Sequence, residues 1–175
     1  RKVAPALACG NTGVLKPASL TPWSAPYIDK LFEVAGFPPG VVNLVIGSGG
    51  VIGSRLVVDP RVGGITFTGS TAVGIPLNER AARRLAKVQL ELGGKNPAVV
   101  VDCDDLEGAS REIVSAALQC SGQRCTALSR VIVVEDQADA LVEEILAQVD
   151  RIQVGDGLDE KTTMGPLSSK SQLET

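Results

Sequence analysis

Apolar residues along this chain fall into short Val/Ile/Leu-rich blocks that alternate with stretches of helical spacing. The first block, residues 12–15, reads as a strand ending at Lys16-Pro17. Tyr27, Ile28, Leu31, Phe32 and Ala35 then recur at the three-and-four spacing of an amphipathic helix. Thr21 offers an N-cap with Pro22 at the first helical position, and Gly36 offers a stop. Pro26 counts against this helix, because it removes a backbone donor near the start. Residues 41–46 read as a buried strand, followed by Gly47-Ser48-Gly49-Gly50 and a short helix over 51–58. Residues 65–67 form the next apolar block, ending at Thr68-Gly69-Ser70-Thr71, with a helix over 73–85. Another strand, 88–92, stops at Gly93-Gly94. This strand–loop–helix rhythm predicts a parallel, doubly wound, Rossmann-like sheet.

After Gly94 the rhythm restarts. Residues 98–101 read as a strand and 106–118 as a helix, with Asp104 and Asp105 near its positive N-terminus. A polar loop holds Cys125. A strand over 131–134, a helix over 138–149 and a loop complete the chain. The Gly93-Gly94 hinge divides it into two portions, residues 1–93 and 94–175. Both are expected to be α/β.

Composition narrows the functional classes. With 44% hydrophobic residues and a net charge of -3 in 175 residues, the chain can bury a core and is not disordered in type. Aromatics are only 3%, which suits Val/Ile strands packed between Ala/Leu helices. No basic stripe marks a nucleic-acid surface. No apolar run approaches the roughly 18 residues of a membrane span. The opening Arg1-Lys2-Val3-Ala4-Pro5-Ala6-Leu7-Ala8-Cys9 superficially suggests a signal, but its apolar part is short and Pro5 interrupts it. A cytoplasmic setting with reduced thiols is therefore expected. The start without Met and the stop in a polar run read as cut ends. Four cysteines without a CxxC pair, and no histidine, argue against zinc and remove the usual general base.

Four segments carry candidate chemistry. Gly47, Gly49 and Gly53 give G-x-G-x-x-x-G, one residue longer than the dinucleotide fingerprint. This is either a phosphate-facing loop or a plain strand-to-helix turn. Phe67-Thr68-Gly69-Ser70-Thr71 places small hydroxylated residues between strand and helix; they can cap the helix or donate to a pyrophosphate. Glu91, before Leu92-Gly93-Gly94-Lys95, is either an exposed edge carboxylate or a base reaching into a cleft, with a raised pKa if that cleft is dry. Cys125 lies in Gly122-Gln123-Arg124-Cys125-Thr126-Ala127. It is a core thiol or a reactive one favoured by Arg124 and Arg130. Cys9, Cys103 and Cys120 read as structural.

Together these segments resemble the NAD(P)-dependent aldehyde dehydrogenase superfamily. Cys125 matches the catalytic thiol of G-Q-x-C, and Glu91 the general base of E-L-G-G-K. They stand 34 positions apart (125 minus 91), as the family pattern requires. Phe67-Thr68-Gly69-Ser70 matches F-T-G-S, and Gly10-Asn11-Thr12 with Leu15-Lys16-Pro17 matches the cofactor-strand signature. The likeness runs over essentially the whole chain. It implies oxidation of an aldehyde to a carboxylic acid with NAD or NADP as cofactor. The Cys125 thiolate forms a thiohemiacetal, hydride passes to the nicotinamide, and Glu91 activates the water that hydrolyses the thioester. Lys16 would lie at the adenosine ribose, Gly69 and Ser70 at the pyrophosphate, and Gly49 near the cofactor. Residues 1–93 would be part of the cofactor domain, and 94–175 the start of the catalytic domain.

Three departures qualify the likeness. Ser19 stands where many NAD-using members carry a Glu that grips the ribose hydroxyls, so NADP should be accepted, with Lys16 and Ser19 on its 2'-phosphate. The family's oxyanion-hole Asn and its nicotinamide-ribose Glu both fall outside the chain, so the 175 residues alone are not expected to turn over. The family's dimers and tetramers use strands absent here, and the overall texture is closest to members acting on dicarboxylic semialdehydes. A catalytically silent binding homologue and a CoA-acylating relative are the alternative readings. Intact Cys125 and Glu91 weigh against the first. Glu91 weighs against the second, because an activated water competes with acyl transfer.

Overall fold

The computed structural model describes residues 2–174; Arg1 and Thr175, which entered the reading of the chain ends, lie outside the described residues. The chain divides into two compact units, the first ending at Glu91 and the second starting at Leu92.

The first unit runs α1 (Val3–Ala8), β1 (Gly13–Leu15), α2 (Ser24–Val34), β2 (Val42–Leu44), a π-type turn (Gly49–Gly53), α3 (Ser54–Val58), β3 (Gly64–Thr68), α4 (Thr71–Ala82) and β4 (Lys87–Glu91). Its strands form two parallel pairs. β1 lies on β2 from Gly13↔Val42 to Leu15↔Leu44, and β3 lies on β4 from Gly64↔Lys87 to Thr68↔Glu91. Each pair is joined by a helical crossover, α2 in one and α4 in the other, which is the connection a parallel pair requires. The Arg84 guanidinium ties the end of α4 back to α3 and its following loop. Its Nε donates to the Val57 carbonyl (2.7 Å) and its Nη1 to that of Val62 (2.6 Å).

The second unit repeats the pattern with β5 (Asn96–Val100), α5 (Leu106–Leu118), a 3-10 turn (Gln119–Gly122), β6 (Leu128–Val133), α6 (Glu135–Val149) and α7 (Lys170–Leu173). β5 and β6 are parallel, with a register break after Asn96↔Leu128. Val100, Ile113 and Leu141 form the buried core of this unit. Ala98, Leu106, Leu128, Val131, Val133 and Ile145 pack around it.

The α/β class and parallel pairing follow the expected rhythm, but the described strands pair two by two rather than in one sheet. Helix α2 starts at Ser24, after Thr21-Pro22 rather than at it. The later start puts Pro26 in the first turn, where its missing N–H has no intrahelical partner to lose. Its end is as expected: Gly36 has φ 79°, and the Phe37 amide donates to the Phe32 carbonyl (3.1 Å), closing a Schellman motif. Helix α4 stops at Ala82, short of Leu85, whose φ of 57° cannot continue a right-handed helix. Helix α1 and the closing α7 carry no strong apolar periodicity; both are short and bury no residue.

Candidate active site

The loop carrying Cys125 begins in strain. Cys120 and Ser121 both adopt left-handed backbone angles, φ 55° and 57°, which cost a non-glycine residue energy and need outside support. The Ser121 hydroxyl supplies some, donating to the Gly165 carbonyl (2.7 Å). Gln123 supplies more. Its Nε2 donates to the Cys120 carbonyl (3.2 Å), while its Oε1 accepts from the Ser168 amide (3.0 Å) and hydroxyl (2.8 Å). The chain then turns, with the Ala127 amide donating to the Arg124 carbonyl (3.0 Å).

Cys125 sits in this turn and is exposed among the described residues. Among the described residues no acceptor meets its backbone amide. Its carbonyl accepts from Asn96 Nδ2 at 2.8 Å, and the same nitrogen donates to the Ala127 carbonyl at 3.2 Å. A Cβ built on Gly94 would lie 3.3 Å from the Cys125 carbonyl, so this glycine lets β5 approach the thiol loop closely. The Arg124 guanidinium is engaged with the Gln119 side chain. Cys9 and Cys120 are exposed rather than packed, whereas Cys103 is partly buried against the core and its Sγ donates to the Asp105 carbonyl at 3.4 Å.

Glu91 ends β4 in the first unit and is exposed. Its carbonyl accepts from the Gly69 amide (3.1 Å), which joins the F-T-G-S segment to the end of β4. Lys2 stands within electrostatic reach of Glu91 and donates to the Thr66 hydroxyl (2.7 Å). Partial burial pulls the Lys2 pKa below its ordinary value, and the Glu91 charge offsets part of that. Cys125 belongs to the other unit, and the structure describes each of the pair in its own unit.

The cofactor candidates form two groups in the first unit. Ser19 donates to the Gly47 carbonyl (3.3 Å), and a Cβ on Gly49 would lie 3.9 Å from Lys16 Cε, so Lys16, Ser19 and Gly49 gather beside the end of β2. Lys16 itself donates to the Pro17 carbonyl (2.5 Å). Ser70 caps α4, accepting from the Val73 amide (3.3 Å). At Gly69 a Cβ would fall 2.4 Å from the Phe67 ring, which is the local reason for a glycine there.

The chain matches the aldehyde dehydrogenase family over residues 1–175. It belongs to that family. It is 46% identical over 173 residues to an alpha-ketoglutaric semialdehyde dehydrogenase of Bacillus subtilis (strain 168), covering 99% of this chain and 36% of the relative. It is 43% identical over 167 residues to the NADP(+) succinate-semialdehyde dehydrogenase of Escherichia coli (strain K12), covering 95% of this chain and 35% of the relative. Among solved structures, the NAD-dependent aldehyde dehydrogenase from Sinorhizobium meliloti superposes with TM-score 0.94 at 40% identity, covering 98% of this chain and 34% of that one. The chain thus spans about a third of the length of these family members.

The residues present suit a dinucleotide. Helices α2 and α4 have no acidic residue in the first turn, so no carboxylate there opposes an anion. In the second unit, by contrast, α5 and α6 fill the first turn with Glu107, Glu135 and Asp136. Sequence reasoning missed the contacts of Asn96, Ser121 and Gln123. The one signal for Asn96 was Pro97, which cannot donate to a strand ladder. No helix among the described residues is long and apolar enough to cross a membrane.

Proposed function

We propose that the whole protein oxidises an aldehyde to its carboxylic acid with NAD(P)+, and that this chain contributes the nucleophile, the base and part of the dinucleotide site. The observation that carries the reading is Cys125: an exposed thiol in a tethered turn, with an open backbone amide, in a chain matched to the family from end to end.

The Cys125 thiolate attacks the aldehyde carbon, and the resulting oxyanion takes its backbone amide as one donor. When bound, the dinucleotide supplies the electron acceptor for the oxidation. The acyl group is left on Cys125 as a thioester. Glu91 takes a proton from water, whose oxygen adds to the thioester carbon and frees the acid and the thiol. Lys16, Ser19 and Gly49 hold the adenosine-ribose end of the dinucleotide, while Gly69 and Ser70 hold its pyrophosphate. Ser19 leaves room and hydrogen-bonding capacity for a 2'-phosphate, so NADP is accepted. Residues 1–93 form part of the cofactor domain and 94–175 the start of the catalytic domain. The substrate class is a dicarboxylic semialdehyde, the class named in two of the relatives above.

The test is cofactor-dependent oxidation of an aldehyde panel by the full-length protein. Cys125→Ala is expected to abolish turnover. Undiminished turnover in that variant would refute the reading.

A further inference from the structure

We propose that Asn96 is a positioning residue for the Cys125 thiol. The inference rests on the role assigned to Cys125 above.

Pro97 follows Asn96 in β5. A proline has no N–H to give to a parallel ladder, so the β5–β6 register breaks at this point. Asn96 pairs with Leu128, Pro97 with Arg130, and Ser129 is left over as a bulge. The Ser129 hydroxyl reaches back to the Asn96 carbonyl at 3.5 Å. Where the backbone ladder fails, the Asn96 side chain takes over. Its amide group has two hydrogens and points at two carbonyls of the thiol turn, Cys125 at 2.8 Å and Ala127 at 3.2 Å. These carbonyls belong to the Cys125–Thr126 and Ala127–Leu128 peptide planes, which bracket Thr126 and Ala127. Holding both fixes the turn as a unit, and the direction of the Cys125 Cα–Cβ bond with it. Asn96 is itself partly buried at the start of β5. It therefore transmits the rigidity of the strand to a loop that otherwise contains three positive-φ residues, Cys120, Ser121 and Gly122.

The chemistry of asparagine matters here. It supplies two donors and no charge. Aspartate in its place supplies none while ionised and sets a carboxylate against two carbonyl oxygens. Serine keeps one donor on a shorter arm, and alanine keeps none.

The test uses full-length protein with Asn96→Ala, Asn96→Asp and Asn96→Ser, beside Cys125→Ala. In Asn96→Ala and Asn96→Asp, kcat is expected to fall about tenfold to a hundredfold, the scale of an ångström of misplacement at a reacting atom. KM for aldehyde and dinucleotide should stay within about threefold, because the turn contacts the reacting centre and not the binding ends. Alkylation of Cys125 by iodoacetamide without dinucleotide should slow about three- to tenfold as the thiol loses its fixed presentation. Asn96→Ser should recover part of kcat. The inference is overturned if Asn96→Ala and Asn96→Asp keep kcat within about twofold, if the loss lies in KM, or if Asn96→Ser is no better than alanine. A silent Cys125→Ala beside fully active Asn96 variants sinks this inference alone. An active Cys125→Ala sinks the proposed function as well.

Discussion

At the scale of single residues, the sharpest functional question is the cofactor's ribose end. Ser19 lies with Lys16 and Gly49 beside the end of β2, its hydroxyl on the Gly47 carbonyl. On the proposed placement of the dinucleotide, a neutral hydroxyl at Ser19 tolerates a 2'-phosphate, whereas a carboxylate repels it. At a separation of about 4 Å and an effective dielectric near 20, that repulsion is about 4 kcal/mol before screening, and exposure reduces it severalfold. Ser19→Glu should therefore lower kcat/KM for NADP about tenfold or more, a change of about 1.4 kcal/mol, and leave NAD within about threefold. Steady-state kinetics with both dinucleotides checks it; an equal loss with both, or none with NADP, would show that Ser19 does not face the phosphate. Candidate residues of this kind were legible because each stands in a short motif. The tethers were not. Asn96 and Cys125 are 29 positions apart, and Gln123 and Ser168 are 45 apart, so only the folded chain joins them.

At the scale of elements, legibility followed local chemistry. Helix α5 runs over the expected residues because Asp105 caps it, accepting from the Gly108 amide at 2.8 Å, and its apolar positions recur at helical spacing. Helix α2 starts at Ser24 rather than after Thr21, although Thr21-Pro22 carries an N-cap signal of its own; only the cost of an interior Pro26 decides against that signal. Pattern also leaves open which element carries the core. In the second unit that is α6, through Leu141, which is 1% exposed against Val100 and Ile113. Leu141→Ala removes a side chain with no solvent to collapse into the gap, at about 2–5 kcal/mol. Asp105→Ala removes one cap bond and a favourable charge, at about 1 kcal/mol. Hydrogen exchange should show the difference. Amides of β5, β6 and α5 should lose protection broadly in Leu141→Ala, but mainly in the first turn of α5 in Asp105→Ala. Equal and local effects would mean that Leu141 is not the keystone of that unit.

At the scale of the whole molecule, surface decides what the 175 residues can do alone. The chain exposes 12597 Å². Much of it is apolar. Along α2, Tyr27, Leu31 and Val34 are 70%, 66% and 74% exposed, Trp23 just before it is 80% exposed, and Leu85 is 93% exposed. Monomeric proteins rarely present such an apolar helix face to water. The chain also spans only about a third of the length of its relatives. Expressed alone, the 175-residue chain should bind the dye ANS strongly, self-associate in sedimentation velocity at micromolar concentration, and show no turnover with NAD(P). The full-length protein should lose the ANS signal, because the same helix face is then covered. A 175-residue chain that stays monomeric, ignores ANS and unfolds in one cooperative step would contradict this. It would mean that α2 finds its cover within these residues, and that the exposed Tyr27–Leu31–Val34 face does not persist in solution.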